Sequence, residues 1–105
     1  MAYILFVRVK TAVEWEDLER RMLERKPRFL EVPGLAQKIY GEEGPDGSMC
    51  GVYFFETKEA LDNFRESELA KTMGAAYEVT EVRQEVYRVL YPLRPDRGPL
   101  SDWDQ

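Results

Sequence analysis

Residues 2–10, AYILFVRVK, are rich in β-branched and aromatic types and are apolar at both parities up to Val7. A strand that is polar on neither side is one covered on both faces. Thr11-Ala12-Val13-Glu14 then has the form of a capping box, in which the Thr hydroxyl accepts from a backbone N–H and the Glu carboxylate reaches back. Trp15, Leu18, Met22, Leu23, Phe29 and Leu30 follow at helical spacing, predicting a first helix over 12–31 with one apolar stripe. Acids crowd its start and bases its later half, and Glu16–Arg20, Asp17–Arg21 and Glu24–Arg28 stand at i,i+4. This is the pattern of a solvated helix face. Pro27 is expected to kink or split the helix, and Pro33-Gly34 to end it.

Residues 35–42 read as a second strand, 43–48 as a turn rich in Gly, Pro and Asp, and 49–56 as a third strand, so 35–56 is a β-hairpin. Thr57 caps a second helix along Ala60, Leu61, Phe64, Leu69 and Met73, with a break expected at Ser67. Residues 79–91 form the last strand. The tail, 92–105, carries three prolines and is expected to be irregular, either loose or laid across a neighbouring subunit. The order β-α-β-β-α-β over 1–91 is the split βαβ, ferredoxin-like α+β arrangement, with both helices on one face of a four-stranded antiparallel sheet. Strands one and three are apolar at both parities, Ile4 and Phe6 against Tyr3, Leu5 and Val7, and Val52 and Phe54 against Tyr53 and Phe55. The second face of the sheet therefore needs a cover that the helices do not supply. An identical sheet from a twofold-related copy is the simplest one, which predicts a homodimer.

A chain of 105 residues is enough for one domain. A formal charge of −5, with Lys and Arg interleaved among acids, argues against nucleic acid as a partner. No apolar run reaches the ~20 residues that span a bilayer, and the first residues read as a strand rather than a signal peptide. The single Cys50 excludes an internal disulfide and fits a reducing, cytoplasmic setting. The absence of histidine carries more weight. It removes the commonest metal ligand and the commonest general base near neutral pH, and with one cysteine it leaves no Cys/His zinc site and no Cys-His nucleophile pair. No metal site and no His-ligated haem is therefore expected.

Four segments in order, Pro33–Lys38, Gly51–Ala60, Ser67–Ala70 and Glu85–Leu90, resemble the YdhR-like and antibiotic-biosynthesis-monooxygenase-like proteins of the dimeric α/β-barrel superfamily. The resemblance covers most of 2–91. It implies a homodimer in which two four-stranded sheets face each other as a barrel, with a cavity between sheet and helices in each protomer. It also implies oxidation of electron-rich aromatic compounds by dioxygen without metal or flavin. Two positions depart from the common pattern: Phe55 stands where many relatives carry Trp, and Phe64 where many carry His.

Without histidine, a site that activates a substrate must use other groups. Arg83 and Tyr87 share one parity of the last strand, ~13 Å apart. Arg83 is suited to hold an anion, or else pairs with Glu81 or Glu85; Tyr87 is suited to donate to a phenolic oxygen, or else packs at the core or dimer interface. Tyr40 and Tyr53, on adjacent strands, can line one cavity, and Trp15 can cap its mouth or anchor the first helix. Glu85 is a base only if buried. Cys50 reads as a small buried residue and Asn63 as a solvated one. Two functions follow: a cofactor-independent monooxygenase acting on a small aromatic or polyketide-like compound through Tyr40, Tyr53, Arg83, Tyr87 and Trp15, or a dimeric small-ligand-binding or stress-associated protein without turnover.

Overall fold

The structure, a computed structural model, describes residues 1–43 and 48–100. Its elements run β1 (Tyr3–Thr11), α1 (Trp15–Leu30), β2 (Leu35–Glu43), β3 (Ser48–Phe55), α2 (Lys58–Glu66), α3 (Glu68–Lys71), α4 (Met73–Ala76) and β4 (Val79–Arg88), then a 3₁₀ turn over Pro95–Arg97. The sheet order is β2-β3-β1-β4 with every pairing antiparallel, the ferredoxin-like α+β arrangement expected. Most of the turn expected over 43–48 lies outside the described residues.

Strand periodicity of two sorts the side chains. Leu5, Val7 and Val9 of β1 stand beside Tyr53, Gly51 and Met49 of β3, and this row faces the helices. There it meets Phe29 of α1, Leu61 and Phe64 of α2 and Leu69 of α3 in one buried cluster. Phe64 lies at the centre of the aromatic part, with ring centroids 5.1 Å from Tyr53, 5.6 Å from Phe55 and 6.1 Å from Phe29. Such pairs add ~0.5–1.5 kcal/mol each beyond the area they bury. Both positions that depart from the relatives' pattern, Phe55 and Phe64, are thus core residues here, 0% and 4% exposed. The opposite row, Ile4 and Phe6 with Val52, Phe54 and Ile39, forms the open face of the sheet.

The local signals resolve in different ways. Thr57 caps α2 by accepting from the Ala60 N–H at 3.0 Å, and Ser67 interrupts the segment as expected, accepting from Ala70 N at 3.2 Å. The capping box at Thr11 does not form. Thr11 is the last residue of β1, its hydroxyl accepts from Val13 N at 3.1 Å and donates to the Tyr77 carbonyl at 2.7 Å, and α1 begins after Glu14 without a side-chain cap. Pro27 does not split α1. Arg25, which donates to the Leu69 carbonyl at 2.7 Å, and the buried Phe29 hold the turns on either side of Pro27 to the core. Asp17 pairs with Arg21 as expected, at 2.9 Å, but Arg20 reaches Asp17 and Glu24 rather than Glu16. The last strand stops at Arg88, three residues earlier than expected. Beyond it the described part of the tail, 92–100, is irregular apart from its 3₁₀ turn, yet not loose throughout: Leu100 is 3% exposed.

Gly34 joins α1 to β2 with φ of +74°, and a methyl group there would stand 2.5 Å from the Ala60 Cβ. Both the left-handed backbone and the close approach of α2 demand glycine. Gly34→Ala is expected to lower stability by about 2 kcal/mol or more, read as a lower denaturant midpoint at unchanged m-value.

Candidate functional site

The described part of the hairpin carries a β-bulge. Leu35 pairs with Phe55, but Gln37 pairs with Phe54, so the alternation of β2 shifts by one residue at Ala36. The shift turns Lys38 and Tyr40 toward the helices, on the same side as Leu35. Lys38 lies opposite Tyr53, and Tyr40 opposite Gly51. Because Gly51 has no side chain, the Lys38 chain and the Tyr53 ring fill its place; a Cβ there would stand 3.1 Å from Lys38 Cε and 3.2 Å from Tyr53 Cε1.

The Lys38 Nζ consequently sits among three rings, 3.7 Å from the centroid of Phe29, 4.2 Å from Tyr40 and 4.6 Å from Tyr53. No carboxylate pairs with it among the described residues. Burial, and then the like charge of Arg25, lowers its pKa from 10.5 to about 7. The ring faces act in the opposite sense, since they favour an ammonium. Burial also raises the phenols: Tyr40 to about 12, Tyr53 well above the ordinary range for tyrosine, and Tyr77 upward. At neutral pH the site therefore combines neutral phenol donors with an amine close to its own midpoint.

Two voids meet at Lys38 and Tyr40. The outer one is a groove of about 430 Å³ between α1 and β2, lined by Trp15, Met22, Lys26, Phe29, Lys38 and Tyr40 among others. The inner one, about 20 Å³, is bounded by Lys38, Tyr40, Gly51, Tyr53, Met73 and Tyr77. Tyr53 donates to Met73 Sδ at 3.6 Å, a weak bond. Tyr77 is 2% exposed, the Arg25 guanidinium carbon stands 5.5 Å from its ring centroid, and its hydroxyl lies within reach of that guanidinium without a well-aligned hydrogen bond to a described residue. A wider depression of about 880 Å³ between the ends of α1 and α2 is lined by exposed polar groups such as Glu31, Thr57 and Asn63. Volume favours that depression, but the perturbed and unpaired groups are in the smaller site.

The five expected site residues do not converge. Tyr40, Tyr53 and Trp15 lie on the helix side, Trp15 half exposed at the mouth of the groove. Arg83 and Tyr87 do share a face, but it is the open one, beside Arg8 and Ile4. There Arg83 Nε lies 3.3 Å from Glu85, and the Tyr87 hydroxyl donates to the same carboxylate, which holds its pKa up. Sequence reading missed Lys38, Phe29, Arg25 and Tyr77. Lys38 and Tyr40 do stand at i,i+2, which puts an amine and a phenol on one strand face.

Comparison with known proteins accords with this architecture. The family model described as "Putative mono-oxygenase ydhR" matches residues 4–95. Rv0793 from Mycobacterium tuberculosis is 15% identical at a TM-score of 0.70, covering 89% of this chain and 99% of that one. SnoaB from Streptomyces nogalater, a cofactor-independent oxygenase, is 12% identical at a TM-score of 0.72, covering 88% and 96%. A "putative antibiotic biosynthesis monooxygenase" from Nitrosomonas europaea is 14% identical at 0.70, covering 87% and 92%. No curated protein matches by sequence.

A lysine with a folded-state pKa below its unfolded value binds fewer protons folded than unfolded, so stability rises with pH between the two values. The destabilising effect of Lys38 is complete below about 7 and disappears toward 10.5. Denaturation series are expected to show stability rising across this window, by at most ~1.4 kcal/mol per pH unit from this group. In Lys38→Met that rise should flatten. The chain, matched over nearly its whole length, belongs to the ydhR family, the one described as "Putative mono-oxygenase ydhR".

Proposed function

We propose that this protein is a cofactor-independent monooxygenase, working as a cytoplasmic homodimer on a small aromatic or polyketide-like compound. The observation that carries the reading is the Lys38 amine, unpaired by any described carboxylate, in an aromatic pocket that opens to a groove of about 430 Å³. Family membership gives the reaction class and the absence of histidine narrows the means. No helix among the described residues is long and apolar enough to cross a membrane.

An electron-rich ring system with an acidic C–H or O–H can itself reduce dioxygen once it is ionised. For a ring methylene, oxidation to the ketone consumes one O₂: one oxygen atom enters the product and the other leaves as water with the two hydrogens. All four electrons come from the substrate, so no external reductant is needed. The protein must then favour the anion and orient it. Lys38 as free amine takes the proton, and as ammonium it stays beside the anion it has made. The Arg25 charge adds to the field. Tyr53 and Tyr77 hydroxyls, neutral at this pH, are donors for a substrate oxygen. Phe29 and Tyr40 supply flat apolar walls that fit a ring.

Incubation with reduced anthrones or quinols is expected to give oxygen-dependent product, with kcat/KM reduced ~10²-fold or more in Lys38→Met. Equal turnover in anaerobic solution would refute the reading, and tight binding of an aromatic compound returned unchanged would favour a binding protein instead.

The open face supports the homodimer. Ile39 is 53% and Tyr87 51% exposed, and with Ile4, Phe6, Val52 and Phe54 they make a continuous apolar surface across β2, β3, β1 and β4. Sedimentation equilibrium is expected to give a dimer for the wild-type chain and a folded monomer for Phe54→Arg; a monomeric wild type would refute the pairing.

A further inference from the structure

We propose that Lys38 is also a nucleophile, capturing small aldehydes and ketones from the groove as a reversible Schiff base. This goes beyond the oxygenase reading and needs no oxygen. The Nζ lone pair attacks the carbonyl carbon to give a carbinolamine, which loses water. One C=N bond forms, the C=O bond breaks, the oxygen departs with the two amine hydrogens, and nothing is oxidised or reduced.

Four observations place that chemistry at Lys38. Its amine makes neither a hydrogen bond nor an ion pair with a described residue, only contacts with ring faces, so no acceptor ties the nitrogen down. The described groups around it are Phe29 and Arg25 from α1, Tyr40 from β2, Tyr53 from β3 and Tyr77 after α4, with Glu19 and Lys26 of α1 lining the same groove. Among the charged groups Arg25 acts on the amine, and its charge disfavours the ammonium. Second, the nitrogen lies where the outer groove meets the inner cavity, so a carbonyl compound can leave its apolar part in the groove while its carbonyl reaches Nζ. Third, the inner cavity holds about 20 Å³. A void of about 10–15 Å³ is enough for one water, which matches the molecule released in the condensation and required for its reversal. Fourth, the buried Tyr77 borders that cavity, and its hydroxyl, beside the Arg25 guanidinium, can hold such a water or the carbinolamine oxygen. A buried lysine with reduced basicity is the form of this side chain suited to imine chemistry.

The test uses the full chain with benzaldehyde and sodium cyanoborohydride at pH 7, followed by peptide mapping of the benzylated lysines. Lys38 is expected to react about tenfold faster or more than Lys10, Lys26, Lys58 and Lys71, and to slow markedly at pH 5, where its amine is protonated. Lys38→Arg should lose the fast phase while the other four lysines react as before. The wild-type map is decisive by itself if that variant fails to fold. Even labelling across the five lysines, or a spared Lys38, would overturn the proposal. Oxygen consumption plays no part in the readout, so this result and that of the anthrone assay are independent.

Discussion

A β-strand sends successive side chains to opposite faces, and β1, an interior strand of this sheet, carries apolar groups on both. Helices cover one side only. That constraint divides the molecule into a closed half, where Leu5, Val7 and Val9 meet Phe29, Leu61 and Phe64, and an open half built on Ile4, Phe6, Val52 and Phe54. The aromatic cluster, the Lys38 pocket and the groove belong to the closed half. The Arg83–Glu85–Tyr87 group belongs to the other, on the side of the sheet that no helix covers.

The pocket follows from packing more than from any polar motif. Phe29, Tyr53 and Phe64 pack against one another over the helix side of the sheet, and Lys38 runs its aliphatic stem along them, as long cationic side chains do on apolar surfaces. Its head stands over three rings while the residue keeps partial exposure at the groove. Arg25, bonded to the Leu69 carbonyl and close to Tyr77, joins α1 to the segment around α3 and α4, so the same residue that braces the helices also brings a second positive charge near the amine.

The fold was legible because its signals are local. The stripe ending in Phe29, the Thr57 cap and the Ser67 interruption all reside in a few consecutive residues. Thr11 misled because a hydroxyl before an apolar run fits a cap as well as a strand end, and its partner, the Tyr77 carbonyl, is 66 residues away. Lys38 was missed for a different reason. Its parity is that of Tyr40, which the bulge at Ala36 likewise turns to the helix side, but a lysine in a strand reads by default as solvated. The amine's environment depends further on Arg25 and Tyr77, which strand pattern does not place. Tyr40 and Tyr53 were paired correctly as neighbours, because adjacency in a hairpin is the one long-range relation that sequence states directly.

Gly51 gives the pocket an unexpected governor. The residue opposite Tyr40 contributes no atoms beyond the backbone, and that vacancy lets the Lys38 chain lie flat against the sheet and its nitrogen sink among the rings. A larger side chain at 51 would press on both the Lys38 chain and the Tyr53 ring and so displace the amine. The acid–base character of the site is thus set from a position that no inventory of reactive residues would include, and relatives could retune it there without altering the lysine itself.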